Sequence, residues 1–397
     1  MKTVMIIGAG IMQVAAIKKA RSMGLRVLAT DINPAAPGFK FATYKELVST
    51  KDIPGSINAA KRYKIDGVLT IGTDRSRTVS AIAKKLGLPG ISEEVALLAT
   101  NKAKMRRRFK ERGVPSPDFR EVKKIEDAIQ AGEELGYPLV VKPVDNMGAR
   151  GVKGVKDKYQ LSEAFYKALE WSDIKSVIIE QWMEGPELSI DTIVYNGEIH
   201  LLTIADRIIE FEPYFVETGH TIPSSLHSSQ LDNAFEVMKT GIQALGIDWG
   251  AAKCDMKVTK NGAMIGELAA RLSGGFHCQA TAPLATGMDC IKAVIDLSLG
   301  NPLDIRDITP RFNHAACERA LIPKPGRVIK ITGVDKARNL QGVKDVIINV
   351  KIGDVVTEQV DNMRKAGHII AYGETRSDAI RRCEKARDMI KIITKGR

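Results

Sequence analysis

Two Asn-Gly pairs, Asn196-Gly197 and Asn261-Gly262, each separate long runs rich in apolar and β-branched residues: ELSIDTIVY from EIHLLTIADRI, and AAKCDMKVT from AMIGELAAR. Asn-Gly between two such runs specifies a tight hairpin, because both residues tolerate the positive φ that matches strand twist. The middle of the chain must therefore hold a mainly antiparallel sheet. The first hundred residues read differently. Short apolar runs (VMIIG, RVLATD, GVLTIG) alternate with amphipathic stretches (KKARSMG, SAIAKKLG), the pattern of a parallel α/β layer.

Between these regions, residues 102–112 predict a basic helix that ends at Gly113, and the SPD that follows restarts the chain. EDAIQAGEELGY and LSEAFYKALEW read as helices, and PLVVKP, VKGV and SVIIEQWM as strands, forming a unit the size of a lid. Beyond Pro302, GRVIKITG, VKDVIINVKIGDVV and HIIAYGE suggest a further small β-unit with SDAIRRCEKARDMIKII as a helix upon it. The expected divisions are 1–100, 101–186, 187–315 and 316–397. At 397 residues the chain is long enough for two or three domains.

The net charge of +12 invites a nucleic-acid reading, but most of the excess lies in two segments. Residues 102–112 hold seven bases and one acid, and residues 376–397 eight bases and three acids. Basic runs on helices are commonly solvated faces, and neither segment interleaves the aromatics of a base-stacking surface. A nucleic-acid protein would also bind with a steep salt dependence. No run approaches the roughly 20 apolar residues that cross a bilayer, so a cytoplasmic protein is expected. The five cysteines form no CxxC pair and are odd in number, which predicts buried, inert thiols rather than disulfides or a zinc site.

Several patterns carry chemistry. Gly8-Ala9-Gly10-Ile11-Met12-Gln13, with Asp31 ending the second strand, has the outline of a dinucleotide-binding turn, but Gln13 replaces its third glycine. A dehydrogenase built on this turn would leave the downstream patterns unexplained. Lys142 ends a strand and is followed by the turn 145–151, in which Met147 and Gly148 can close over a polyphosphate while lysine supplies point charge. Glu180 and Glu187 flank Gln181, Trp182 and Met183, a set able to bind the ribose, amine and ring face of a nucleoside. Asp255 and Glu267, six and five positions from the Asn261-Gly262 turn, can meet on adjacent strands. Two such carboxylates, costly in apolar strands unless paired, offer the hard oxygen ligands that Mg²⁺ requires. Arg271 lies four residues further and can clamp a migrating phosphoryl group.

The order Lys102, VVKP with its glycine turn, IIEQWMEGPELSID, CDM and ELAARLSGG resembles the ATP-grasp superfamily of carboxylate–amine ligases across nearly the whole chain. PYFVETGHTIPSSL and the C-terminal β-unit resemble its L-amino-acid ligase branch, close to carbamoyl-phosphate-synthase-like proteins. The resemblance implies an α/β and α+β chain with an N-terminal Rossmann-like domain that does not bind NAD, a lid subdomain and a C-terminal antiparallel-sheet domain. It assigns Lys102 and Lys142 to ATP phosphates and Glu180 and Glu187 to adenine and ribose. Asp255 and Glu267 become ligands of Mg²⁺ or Mn²⁺, and Arg271, with Lys142, acts at the phosphoryl group. Where much of the superfamily has E-x-N-x-R, this chain has Ala269 in place of the asparagine, so a second metal loses one ligand.

The implied reaction joins a small-molecule carboxylate to an amine through an acyl phosphate, releasing ADP and phosphate, with an amino acid as one substrate. Bicarbonate or another small carboxylate is the alternative. For the substrates the candidates are Arg207, Glu217, His220, Ser273, Gly274, Gly275 and His277. Arg207 can equally pair with local acids, and either histidine can equally be structural. No specific nucleic acid or membrane partner is expected, and a homodimer fits family habit.

Overall fold

The computed structural model describes residues 1–396. In the N-terminal unit, β1 (Thr3–Ile7), α1 (Val14–Ser22), β2 (Arg26–Thr30), β3 (Tyr44–Glu46), α2 (Ile53–Arg62), β4 (Gly67–Leu69) and α3 (Ser76–Leu86) alternate as expected. The strands form a parallel sheet in the order β3-β2-β1-β4. The run TVMII is buried throughout, as a central strand covered on both faces must be. Two helices follow, α4 (Glu93–Leu98) and the basic α5 (Lys102–Glu111), which Asn101 caps by accepting from the Lys104 N–H. Gly113, at φ +67°, ends that segment as predicted.

The lid comprises β5 (Phe119–Val122), α6 (Ile125–Leu135), β6 (Leu139–Pro143), β7 (Lys153–Val155), α7 (Lys158–Trp171) and β8 (Val177–Gln181). Its antiparallel sheet runs β5-β8-β6-β7, and α6 and α7 bury Ala131, Leu161 and Phe165 against Val141 and Ile179. This compact apolar cluster makes the lid a body of its own.

Next come β9 (Glu187–Tyr195), β10 (Glu198–Glu210), β11 (Val216–Ile222), α8 (Ser228–Leu245), β12 (Trp249–Thr259) and β13 (Gly262–Ala269). Both Asn-Gly hairpins form, with Asn196 and Gly197 at φ +51° and +80°. A π-helical turn at His277–Thr281 leads into α9 (Ala282–Thr286), α10 (Cys290–Ser298) and α11 (Ile305–Ile308).

The C-terminal segment holds β14 (Ala315–Leu321), β15 (Gly326–Thr332), α12 (Val334–Arg338), β16 (Val343–Ile348), β17 (Val355–Val356), β18 (Gly367–Gly373), α13 (Arg376–Met389) and β19 (Lys391–Lys395). It departs from the expected separate β-unit. Strands β14, β18 and β16 continue the central sheet, which runs β13-β12-β9-β10-β11-β14-β18-β16 and is antiparallel throughout. Only β15, β17 and β19 form a small sheet apart. The predicted final helix also stops early: Ile390 is extended, and Ile392 and Ile393 pair with β15, as β-branched residues favour. All five cysteines are buried and free. Among the described residues, no helix is long and apolar enough to cross a membrane.

Candidate active site

Register across the central sheet assembles the site. Asp255 on β12 lies directly opposite Glu267 on β13, and a bulge beside Asp255 absorbs the unequal distances to the hairpin turn. Gly266 makes this possible, since a Cβ there would lie 3.1 Å from the Asp255 carbonyl. One register step along, Lys257, Glu187, Arg207, His220 and Glu318 form a row on five neighbouring strands. Charges of opposite sign thus alternate across the middle of the row. Arg207, on the central β10, contacts Glu187, reaches Glu217 and Asp255 at 3.0 Å each, and stays protonated because these three carboxylates outweigh the cost of its burial.

The proposed metal pair fits a hard cation. Asp255 Oδ2 faces Lys253 and Arg207, while its Oδ1 is buried without a hydrogen-bond partner. Burial alone would raise the Glu267 carboxyl, but Lys102 at 2.9 Å, with Lys253 behind it, holds it well below the usual carboxylate range. Glu267 is therefore anionic at neutral pH, and around both acids cations occupy the positions a divalent ion would compete for. Among the described residues, no group of three or more histidine, cysteine, aspartate or glutamate side chains is arranged to hold a metal, so any ion here takes its remaining ligands from substrate or water.

The nucleotide candidates converge from α5 and the lid. Lys102 also donates to the Asn146 carbonyl at 2.6 Å, tying the helix start to the glycine turn. Lys142 contacts Glu180 on the adjacent strand, and Arg106 of α5 approaches the other Glu180 oxygen at 2.7 Å without hydrogen-bond alignment. Glu180, expected to meet adenine or ribose, is thus turned to two cations and 1% exposed. The Lys142 ammonium is destabilised by burial, and Glu180 only partly restores it, so its pKa falls below the ordinary lysine value. Gln181 donates through its backbone to Asp118 and through its side chain to Leu135. The Trp182 ring covers Gly154 and packs on Phe215, and Met183 reaches toward Gly266. Met147 accepts from the Asp74 N–H at 3.3 Å, while the Gly148 carbonyl accepts from Asn362 at 3.0 Å. The glycine turn is therefore held from both sides.

Arg271 meets Asp74, which follows β4 in the N-terminal unit. The same junction packs Gly274 on Gly72, where a Cβ would lie 3.1 Å from the Gly72 Cα. The Ser273 hydroxyl and N–H both turn to the buried Asp191, which anchors the loop. Gly275, at φ +62°, places its Cβ position 3.9 Å from Glu217. His220 and His277 stack at 5.3 Å, bonded to Thr281 and Thr203 respectively. Burial lowers both imidazole pKa values, that of His220 well below its ordinary value with His277 and Arg319 adding to the effect. Glu318, 2% exposed, lies 3.8 Å from His220 and bonds His368 at 2.6 Å.

Arg207, Glu217, His220, His277 and Gly275 are therefore brought together, whereas Ser273 is turned to Asp191 and Gly274 to Gly72. Asp74, Arg106 and Glu318 were missed from the sequence. Arg106 belonged to a run read as a solvated face, yet it is 1% exposed; its i+4 spacing from Lys102 was the available signal. In the first turn, Gln13 packs beneath Gly8 and donates to the Ile71 carbonyl, and Asp31 accepts from the Ala9 N–H. Both polar groups that a dinucleotide would compete for are engaged within the protein.

Residues 135–280 match an ATP-grasp domain, and residues 319–395 match the L-amino acid ligase C-terminal domain 2. The chain is 29% identical to an L-arginine-specific L-amino acid ligase of Bacillus subtilis, covering 69% of this chain and 67% of that protein. It is 25% identical to the N-terminal section of the carbamoyl phosphate synthase large chain of Aquifex aeolicus, covering 92% and 65%. The chain spans about two thirds of the length of the first curated relatives it matches. The fold superimposes on an L-amino acid ligase from Bacillus licheniformis with a TM-score of 0.85 at 22% identity, covering 100% and 99%. The chain thus carries an ATP-grasp domain over residues 135–280 and, over residues 319–395, the C-terminal domain found in L-amino acid ligases, and it is similar to L-amino acid ligases along most of its length.

Proposed function

We propose that this protein forms an amide bond between a small carboxylic acid and an amine, at least one of them an amino acid, with ATP consumed to ADP and phosphate. The observation that carries this reading is the single junction of Asp255, Glu267, Lys102, Arg207 and Arg271, cations and anions packed where a triphosphate and a carboxylate can exchange partners with them. In the first step a carboxylate oxygen attacks the γ-phosphorus, the bond to the ADP oxygen breaks, and an acyl phosphate results. In the second, the amine nitrogen forms the C–N bond as the acyl C–O bond breaks. Phosphate leaves with the bonding pair, and the nitrogen's protons pass to solvent. Replacing oxide by phosphate as leaving group makes the amide accessible.

The protein's work is positioning and charge stabilisation. Lys102 and Lys142 face the phosphates, Arg271 compensates charge on the transferred group, and Gly148 with its neighbours excludes water that would hydrolyse the acyl phosphate. Asp255 and Glu267 would hold Mg²⁺ or Mn²⁺. When bound, that ion supplies Lewis-acid neutralisation of phosphate charge. Gln181, Trp182, Met183 and Glu187 line the nucleoside side. Glu217, His220, Gly274, Gly275 and His277 form the amino-acid side.

The test is product analysis with Mg-ATP and each of the twenty L-amino acids, with hydroxylamine as a general acceptor and with or without bicarbonate. ADP, phosphate and a hydroxamate appearing with a subset of acids is the expected result. AMP and pyrophosphate would overturn the phosphoryl chemistry, and bicarbonate-dependent turnover alone would move the acid substrate to carbonate.

A further inference from the structure

The lysines of this site come with carboxylates: Lys102 with Glu267, Lys142 with Glu180, Lys253 with Asp255. Lys365 differs. It is 8% exposed, yet among the described residues its ammonium makes no ion pair or hydrogen bond, and its polar contact is a backbone carbonyl that accepts from Asn349 at 3.2 Å. Its charge nevertheless bears on both Glu217 and His220. A largely buried lysine whose ammonium has no carboxylate partner is free to take an anion from outside the protein.

The segment that carries Lys365 is built rather than loose. Asp361 accepts from the Met363 N–H at 2.8 Å and pairs with Arg364 at 3.1 Å, and Gln359 donates to the Asp361 carbonyl. Asn362 has two attachments. Its N–H donates to Gly148 of the lid at 3.0 Å, and its Oδ1 accepts from the Glu217 N–H at 2.9 Å. Residues 359–365 thus bridge the lid turn and the amino-acid side of the cleft.

We propose that this segment completes an acceptor site for a free α-amino acid, in which Lys365 binds the carboxylate and Glu217 the amino group. The inference rests on the ligase reading above and adds which substrate group the C-terminal domain recognises. The acid substrate loses its carboxylate charge pattern on phosphorylation, whereas the acceptor keeps its carboxylate through both steps and can be held by a fixed cation throughout. Glu217, tied through its N–H to Asn362, and Lys365, three residues further along the same segment, offer an anion and a cation to the reversed pair of an α-amino acid zwitterion. An amine without a carboxylate gains nothing from Lys365.

The test compares acceptors in the full-length protein. Wild type, Lys365→Met and Lys365→Arg are assayed with whichever acid the wild type activates, using the twenty L-amino acids, their α-amides and hydroxylamine as acceptors. Lys365→Met raises the KM for amino-acid acceptors by roughly 30-fold or more. Its loss with hydroxylamine is at least tenfold smaller, wild type discriminates against the α-amides, and Lys365→Arg regains part of the affinity. Mg-ATP-induced thermal stabilisation, measured on each variant, shows that the fold persists. Equal losses with hydroxylamine and amino acids, or wild-type indifference between acids and amides, overturn the acceptor site while leaving the ligase intact. A wild type that releases ADP with none of the acids offered, the twenty amino acids, bicarbonate and simple organic acids among them, whether hydroxylamine or an amino acid is the acceptor, overturns the ligase reading itself, and this inference with it.

Discussion

Asp74 and Arg271 stand 197 positions apart in the chain and meet through one oxygen, Asp74 Oδ1 accepting from Arg271 Nε at 2.9 Å and Nη2 at 2.6 Å. Burial opposes the Arg271 charge, and Asp74 outweighs it, so the guanidinium remains protonated and pointed. The N-terminal unit therefore orients a side chain of the central sheet. Asp74→Asn should lower kcat about 100-fold by letting Arg271 drift, with the KM for ATP changed only a few-fold. A parallel loss of nucleotide affinity would contradict a positioning role.

A second prediction concerns Arg106 and Glu180. Removing the arginine alone strands most of a buried carboxylate's charge, leaving Lys142 as its partner. Arg106→Met should cost about 3 kcal/mol of stability, measured as a drop in urea midpoint. Arg106→Met/Glu180→Gln should recover at least half of that drop. No recovery would mean that packing, not charge, sets the loss.

The metal pair makes a prediction about nucleotide binding as well as turnover. Excess chelator should abolish ADP release. Glu267→Gln should reduce turnover at saturating Mg²⁺ by about 100-fold or more and shrink the thermal stabilisation that Mg-ATP confers. The variant also leaves Lys102 without its carboxylate, so unfolding without nucleotide is compared in parallel. Full Mg²⁺-dependent activity in Glu267→Gln would refute the metal assignment.

The stacked histidines set the pH dependence. Both have folded pKa values depressed by burial, so the unfolded chain takes up protons before the folded one. Stability is then greatest above the ordinary imidazole range and falls as pH drops below about 6.5, by up to about 1.4 kcal/mol per pH unit for each imidazole. Glu217 and Glu267, depressed by neighbouring cations, act only below the ordinary carboxylate range. Thermal midpoints from pH 7 to 5 should fall, and His277→Gln should flatten that slope. An unchanged slope would remove His277 as a titrating group.

Local pattern made part of this site legible. The two hairpins, the lid strands, the glycine turn and the Asp255–Glu267 pair are each encoded within about a dozen residues, and periodicity or turn chemistry exposes them. Arg106, Asp74, Glu318 and Lys365 are not, because their significance lies in partners far along the chain. A lysine in DNMRKAGH is an ordinary surface residue until β18 joins the central sheet and draws it inward. The C-terminal strands misled for the same reason: alternation predicts a strand but not the sheet it enters.

The pairing of β11 with β14 has a consequence for how such a chain can be cut or recombined. Ending it before Ala315 would not remove an appendage. It would bare the hydrogen-bonding edge of β11 from Gly219 to Ile222, the stretch that carries the buried His220. An open edge of that kind recruits other strands, so shortened forms should precipitate or pair with one another. Hybrids with related ligases would have to exchange β14, β18 and β16 together, since a seam cut between any two of them would leave the same kind of open edge.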